Sequence, residues 1–182
     1  MDVERIITQV RTNATANDHY SGCAQAVLGA LQESLGIGNT ESFKAATVLS
    51  GGVARRGETC GALVGALMGL GLVCGRNDMK DTAAYSRAND EAQSLVDDFK
   101  ASIETEFGLG QPLTSTLCRD IQARVLGRSY YLANADERAA FLENGGHEPA
   151  KCPRVCAIAA GVAARKILSF RQPSRAERSW PA

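Results

Sequence analysis

The sequence predicts an all-α, single-domain helical bundle of about six to eight helices spanning residues 1–170, followed by a polar tail at 171–182. Three observations carry this. Apolar residues recur at spacings of three and four almost everywhere rather than alternating. No stretch rich in Val, Ile, Thr and aromatic residues reads as a strand. The chain of 182 residues is also long enough to bury a core without covalent staples.

Each helix follows from its own pattern. The first runs roughly from Asp2 to Asn13 and carries Ile6, Ile7 and Val10. The second begins near Ser21 and ends by Gly36, with Cys23, Val27, Leu28, Leu31 and Leu35 on one face. A third, from about Glu41 to Leu49, stops at Gly51-Gly52. A fourth follows Glu58 and ends at Cys74-Gly75, glycine being an expected C-terminal stop. After the loop GRNDMKD, a long amphipathic helix covers about Thr82 to Phe107 and ends at Gly108. The segment Pro112 to Arg124 starts another, capped by Thr114 or Ser115, with Cys118 near its first turn. Asp136 to Asn144 forms a short helix before Gly145-Gly146. The last begins at Pro153, a residue favoured at the first helical position, and runs to about Phe170. The tail RQPSRAERSWPA is polar and proline-marked.

Charge and composition exclude several classes. Lys plus Arg and Asp plus Glu number 20 each, so no overall field attracts nucleic acid or an anionic membrane. Gly51-Gly52 has no G-x-x-x-x-G-K nearby, and nucleotide binding is not supported. The most apolar segment, Ala62 to Cys74, is glycine-interrupted and shorter than the ~20 residues of a membrane helix, so no membrane insertion is expected. The opening MDVERIITQVRTNATAND has no apolar core of a secretory signal, and a cytoplasmic location is expected.

The six cysteines are therefore the feature to explain: Cys23, Cys60, Cys74, Cys118, Cys152 and Cys156. In a reducing compartment, permanent disulfides are rare, and metal binding or redox chemistry is the usual reason for several thiols. Cys23, Cys60, Cys118 and Cys152 each fall in or just before the first turns of a predicted helix. There, unpaired N–H groups and the positive end of the helix dipole favour the thiolate, which attacks disulfides or ligates metals. In RRGETCGALVGAL, Cys60 sits at the edge of an apolar run, where Arg55 and Arg56 could add positive charge. Gly61 and Gly65 allow another helix or a cofactor to approach closely. The pair Cys152 and Cys156 matches neither C-x-x-C nor C-x-x-C-H, and the long separations among the other cysteines match no zinc finger.

Other candidates have bland readings beside the functional ones. His19 and His147 could serve as base or ligand, although loop histidines are more often simply solvated. Glu58 could cap the fourth helix or shuttle a proton to Cys60. Tyr130 and Tyr131 read as core or interface aromatics.

The stretches YSGCAQAVL, GGVARRGETCGALVGALMGLGL, LCRDIQ and KCPRVCAIAA together resemble the redox-active protein family C_GCAxxG_C_C, over about Ser21 to Leu168. Carried over, its four cysteines fall on Cys23, Cys60, Cys118 and Cys152, leaving Cys74 and Cys156 as extras. The family is similar to the non-haem part of split-Soret cytochrome c, a dimeric all-helical electron-transfer protein with an iron–sulfur cluster. The absence of C-x-x-C-H means that covalent haem is not implied. The resemblance implies redox work by cysteines, and two mechanisms suit the positions. In one, helix N-termini converge and present Cys23, Cys60, Cys118 and Cys152 to an iron–sulfur cluster of unspecified type. In the other, two of them, with Cys60 attacking and Cys23 beside it as the catalytic pair, cycle between dithiol and disulfide. The cluster is preferred, because one disulfide leaves two cysteines unexplained. A binding module for zinc or another soft metal is the alternative from a different class. An unidentified redox partner protein is expected, together with a homodimer formed through the glycine-rich helix after Cys60. The four cysteines should converge, and Cys74 should lie apart.

Overall fold

A computed structural model describes residues 2–170, and the tail expected at 171–182 lies outside the described residues. Helix α1 (Val3–Asp18) is capped by Asp2, whose carboxylate accepts from the Arg5 N–H at 3.1 Å. It runs past the expected end at Asn13 because its buried face continues through Val10, Ala14 and Asp18 at spacings of four. Packing of that face overrides the weak helix preference of the intervening Thr and Asn. Helix α2 (Cys23–Leu35) stops at Gly36, left-handed at φ 62°. Helix α3 (Thr40–Ala45) opens with a capping box of Asn39 and Ser42 and passes into a 3-10 turn at Ala46–Leu49.

Helix α4 (Gly61–Cys74) and helix α5 (Thr82–Phe107) follow, the latter capped by Asp81 on the Ala84 N–H at 2.8 Å and closed by Gly108. Helix α6 (Cys118–Leu126) starts later than the sequence predicts. Pro112 to Leu117 is extended instead, because Thr116 and Leu117 pair with the chain before α4 through an isolated antiparallel bridge between Thr59 and Leu117. Ser115 caps no helix there; its hydroxyl accepts from the Leu117 N–H at 3.1 Å. Helix α7 (Ala135–Glu143) is capped by Asn134, and α8 (Cys152–Phe170) carries Pro153 in its first turn, where a missing N–H costs nothing.

The described residues form one all-α domain of eight helices without a sheet. Helix α8, buried along most of its length, is the central strut, packing against α1, α2, α4 and α5, while α2 fills the space between α1 and α4. Val27, Leu31, Leu63, Leu70, Leu95, Phe99, Ile158 and Ile167 close the core between them. The glycines of α4 serve this packing: a methyl on Gly65 would run into the Ala24 carbonyl, and one on Gly69 would come 2.6 Å from Leu31 Cδ1. Gly61, Gly65 and Gly69 of the helix from which the sequence predicts a homodimer thus face α2 within the chain, whereas Gly71 has nothing against it.

Candidate functional site

Four helices begin close together, and each brings a cysteine at its start. Cys23, Cys118 and Cys152 are the first residues of α2, α6 and α8, and Cys60 is the residue that caps α4. The bridge at Thr59 and Leu117 sets two of them side by side. The Cys60 N–H donates to the Thr116 carbonyl at 2.9 Å, and the Cys118 N–H donates to the Glu58 carbonyl at 2.6 Å. Two glycines let the remaining segments close in. A methyl on Gly61 would lie 2.5 Å from Cys23 Sγ, and one on Gly52 would lie 2.6 Å from Cys118 Cβ. Gly52 is also left-handed at φ 69°, which favours glycine a second time.

A fifth cysteine completes the group. Cys156, one turn along α8 from Cys152, is 1% exposed and donates its S–H to Asp18 Oδ1 at 3.5 Å. Cys60 and Cys118 are buried, whereas Cys23 and Cys152 are half-buried, and all six cysteines are free thiols. The Cys118 sulfur accepts from Gln122 Nε2 at 3.5 Å, and Gln122 Oε1 accepts in turn from the Tyr130 N–H at 2.8 Å.

The thiols feel one another's charge. Burial pushes Cys60 up to about 12; the sulfur of Cys23 adds to the rise, and the N–H groups of Leu63 and Ala62, facing the Cys60 sulfur, oppose it. Burial likewise raises Cys23, opposed by the Gly51 and Ala24 N–H groups and the Ser50 hydroxyl. Cys118 is raised by burial and then by Cys60 and Cys23. Cys152 and Cys156 are raised by burial, then by Asp18, and then by their fellow cysteines. Cys23, Cys60, Cys118, Cys152 and Cys156 thus lie within electrostatic reach of one another, and Asp18 acts on all of them except Cys118. Cys74 lies elsewhere, raised by partial burial and then by Glu91.

The thiolate expected from the helix starts is therefore corrected. The N–H groups are in place and act in the expected direction, but removal of the charge from water outweighs them. Arg55 and Arg56 point into solvent and are not among the groups that act on Cys60. Glu58 neither caps α4 nor faces the thiol; its carboxylate pairs with Arg119 at 3.2 Å on the surface. His19 is exposed beside Tyr20. Tyr130 is buried, and Tyr131 is half exposed.

His147 and Asp18 join the site. Asp18, 1% exposed, holds His147 Nδ1 at 2.9 Å through its second oxygen, so both carboxylate oxygens are engaged. The sequence reading does not single out Asp18, and it counts Cys156 as an extra whose place, one turn from Cys152, stays open. The signal for Asp18 was the continuation of the α1 face at spacings of four through Val10 and Ala14.

The donor set is chemically suited to a soft metal or a cluster, since several cysteines lie together there. Among the described residues, however, no three His, Cys, Asp or Glu side chains stand in an arrangement that holds a metal ion. The thiols are gathered but not aimed at one point. No described helix is long and apolar enough to cross a membrane.

Residues 21–166 match the family described as "Putative redox-active protein (C_GCAxxG_C_C)". No curated protein and no solved structure matches the chain.

Proposed function

Because the chain belongs to the C_GCAxxG_C_C family of redox-active proteins, we propose that its cysteines bind an iron–sulfur cluster and that the protein carries electrons. The observation that supports this is the gathering of Cys23, Cys60, Cys118 and Cys152 from four helix starts into one neighbourhood. These four would hold the cluster, with rotation of their side chains toward a common point. When bound, the cluster supplies one-electron oxidation and reduction.

The surrounding chain has defined work in this reading. The N–H groups of Gly51, Ala24, Ala62 and Leu63 face the sulfurs of Cys23 and Cys60 and favour negative charge there. The positive ends of α2, α4, α6 and α8 offset the charge of the ligated thiolates. The apolar side chains behind them limit water access and so help set the potential. A metal also removes the protons that burial retains, since ligation deprotonates a thiol outright.

The thiol–disulfide reading is weaker because its attacking group must be an accessible thiolate. Cys60 is 6% exposed and its thiol is pushed up to about 12. A structural soft-metal site uses the same residues and differs only in what binds. Six free thiols suit a reducing compartment, and a cytoplasmic location with a separate redox partner protein belongs to this proposal.

Anaerobic purification, or reconstitution with ferrous iron and sulfide, tests the reading. A brown protein with visible absorption and stoichiometric iron and sulfide is expected, and Cys→Ser at any of the four positions should lower both. A colourless protein that retains zinc moves the assignment to the soft-metal reading. Full iron and sulfide content in all four single variants rejects the proposed ligands.

A further inference from the structure

The hydrogen bonds at Asp18 continue outward, away from the thiols, to groups that the redox reading does not use. His147 Nδ1 lies 2.9 Å from Asp18 Oδ2, and His147 Nε2 lies 3.2 Å from Ser21 Oγ. A carboxylate only accepts, so Nδ1 carries the hydrogen, and in the neutral ring Nε2 then presents its lone pair to the serine hydroxyl. That is the tautomer a general base needs. We propose that Ser21, His147 and Asp18 form a nucleophilic-serine site that cleaves short acyl esters.

Four features beyond the two distances support this. Burial is graded in the useful direction: Asp18 is 1% exposed, the His147 side chain is 22% exposed, and Ser21 lies at the surface where a substrate can reach it. Asp18 cannot swing away, because its other oxygen accepts from Cys156 and α1 holds its backbone. The His147 ring is set edge-on against Phe141, at 5.2 Å and 90°, and a side chain at Gly146 would collide with that phenyl ring. Ser21 itself is left-handed at φ 65°, a conformation uncommon for serine and typical of strained positions at functional turns.

The same turn supplies a place for developing negative charge. Ser21 is followed by Gly22 at φ 93° and then by α2, a helix of 13 residues whose first N–H groups have no helical carbonyl behind them. The Ala24 N–H is taken by the Ser50 hydroxyl at 3.3 Å and the Cys23 sulfur, so a carbonyl oxygen beside Ser21 would rely on the other N–H groups of that first turn. The order Asp, Ser, His along the chain is immaterial, since such sites are defined by geometry and role.

The chemistry balances with an ester and water. Ser21 Oγ adds to the carbonyl carbon while its proton passes to His147 Nε2. The carbon–oxygen bond to the alcohol then breaks, and His147 returns that proton to the leaving alcohol. Water adds next to the acyl-serine, giving its proton to His147. The carboxylic acid departs, and Ser21 Oγ takes the proton back. No electron is transferred, so the reaction itself needs no cluster.

The experiment treats the full-length protein with a fluorophosphonate probe and, separately, with p-nitrophenyl acetate. Covalent labelling on the peptide that contains Ser21 is expected, absent in Ser21→Ala and in Ser21→Gly, the second of which relieves the positive φ and keeps the fold. His147→Gln should slow ester hydrolysis by about a hundredfold or more, with helical circular dichroism unchanged. Labelling elsewhere in the chain, no labelling at all, or hydrolysis that persists unchanged in Ser21→Gly overturns the proposal.

Discussion

Gly61 is the residue through which the cysteine group is most easily perturbed. It has no room for a methyl: the added carbon would lie 2.5 Å from Cys23 Sγ and 2.9 Å from the Leu49 carbonyl oxygen. Gly61→Ala should therefore cost about 1–3 kcal/mol in urea unfolding, as overpacking does, and should displace Cys23 from its place beside Cys60. The thiols give a second residue-scale expectation, for the metal-free protein. Cys60 is raised to about 12 in the fold, whereas an unfolded cysteine titrates near 8.5. Between those values the folded state binds more protons than the unfolded state, so stability falls as pH rises. Stability from Cys60 should be complete below about pH 8 and should decline by about 1.4 kcal/mol per pH unit above pH 9. The other buried thiols, raised in the same direction, should steepen that slope. Urea titrations from pH 7 to 11 on the reduced, metal-free chain measure it, and a flat profile would mean that the thiols are not buried in solution.

At the scale of an element, the turn before α4 carries the most backbone strain. Gly51, Gly52, Val53, Ala54 and Arg55 are consecutively left-handed, at φ 64°, 69°, 50°, 52° and 64°. Three of the five have side chains, and each such residue costs roughly 1–2 kcal/mol in that conformation. The turn is held by backbone bonds to the segments on either side of it, including Ala54 N–H to the Val48 carbonyl at 2.8 Å and Glu58 N–H to the Gly52 carbonyl at 3.0 Å. Ala54→Gly should therefore stabilise the protein by about 0.5–1 kcal/mol, the relief of strain exceeding the added flexibility of the unfolded chain. A shift of the urea midpoint to lower concentration would contradict this. The turn also marks where sequence reading stops. Helices α2, α4, α5 and α8 were legible because periodicity and terminal glycine or proline are local properties. The left-handed turn was not, since only two of its residues are glycine. Nor was the extended segment before α6, whose conformation comes from pairing with Thr59, a contact between distant positions. The placement of cysteines at helix starts could be read directly. Their raised titration could not, because burial is decided by how α1, α2, α4 and α8 pack.

At the scale of the whole molecule, the site and the fold share the same helices. Helix α8 supplies Cys152 and Cys156 and is also the element against which α1, α2, α4 and α5 pack. A cluster or metal bound by Cys23, Cys60, Cys118 and Cys152 would tie together segments from α2 to α8, so binding should stabilise the domain globally rather than one loop. A ligand that binds only the folded state, present at about a hundred times its dissociation constant, adds about 2.7 kcal/mol. For a chain of this length, that corresponds to a rise in Tm of about 5–10 °C. Anaerobic thermal unfolding of loaded and chelator-treated protein should show this difference in a single transition. Two variants assign the effect. Cys152→Ser should abolish most of the shift, because it removes a proposed ligand at the start of the central helix. Cys74→Ser should preserve it, because Cys74 is set apart beside Glu91 at the far end of α4. Equal loss of the shift in both variants would place the bound group away from the helix starts, and no shift on loading would sever the link between site and fold.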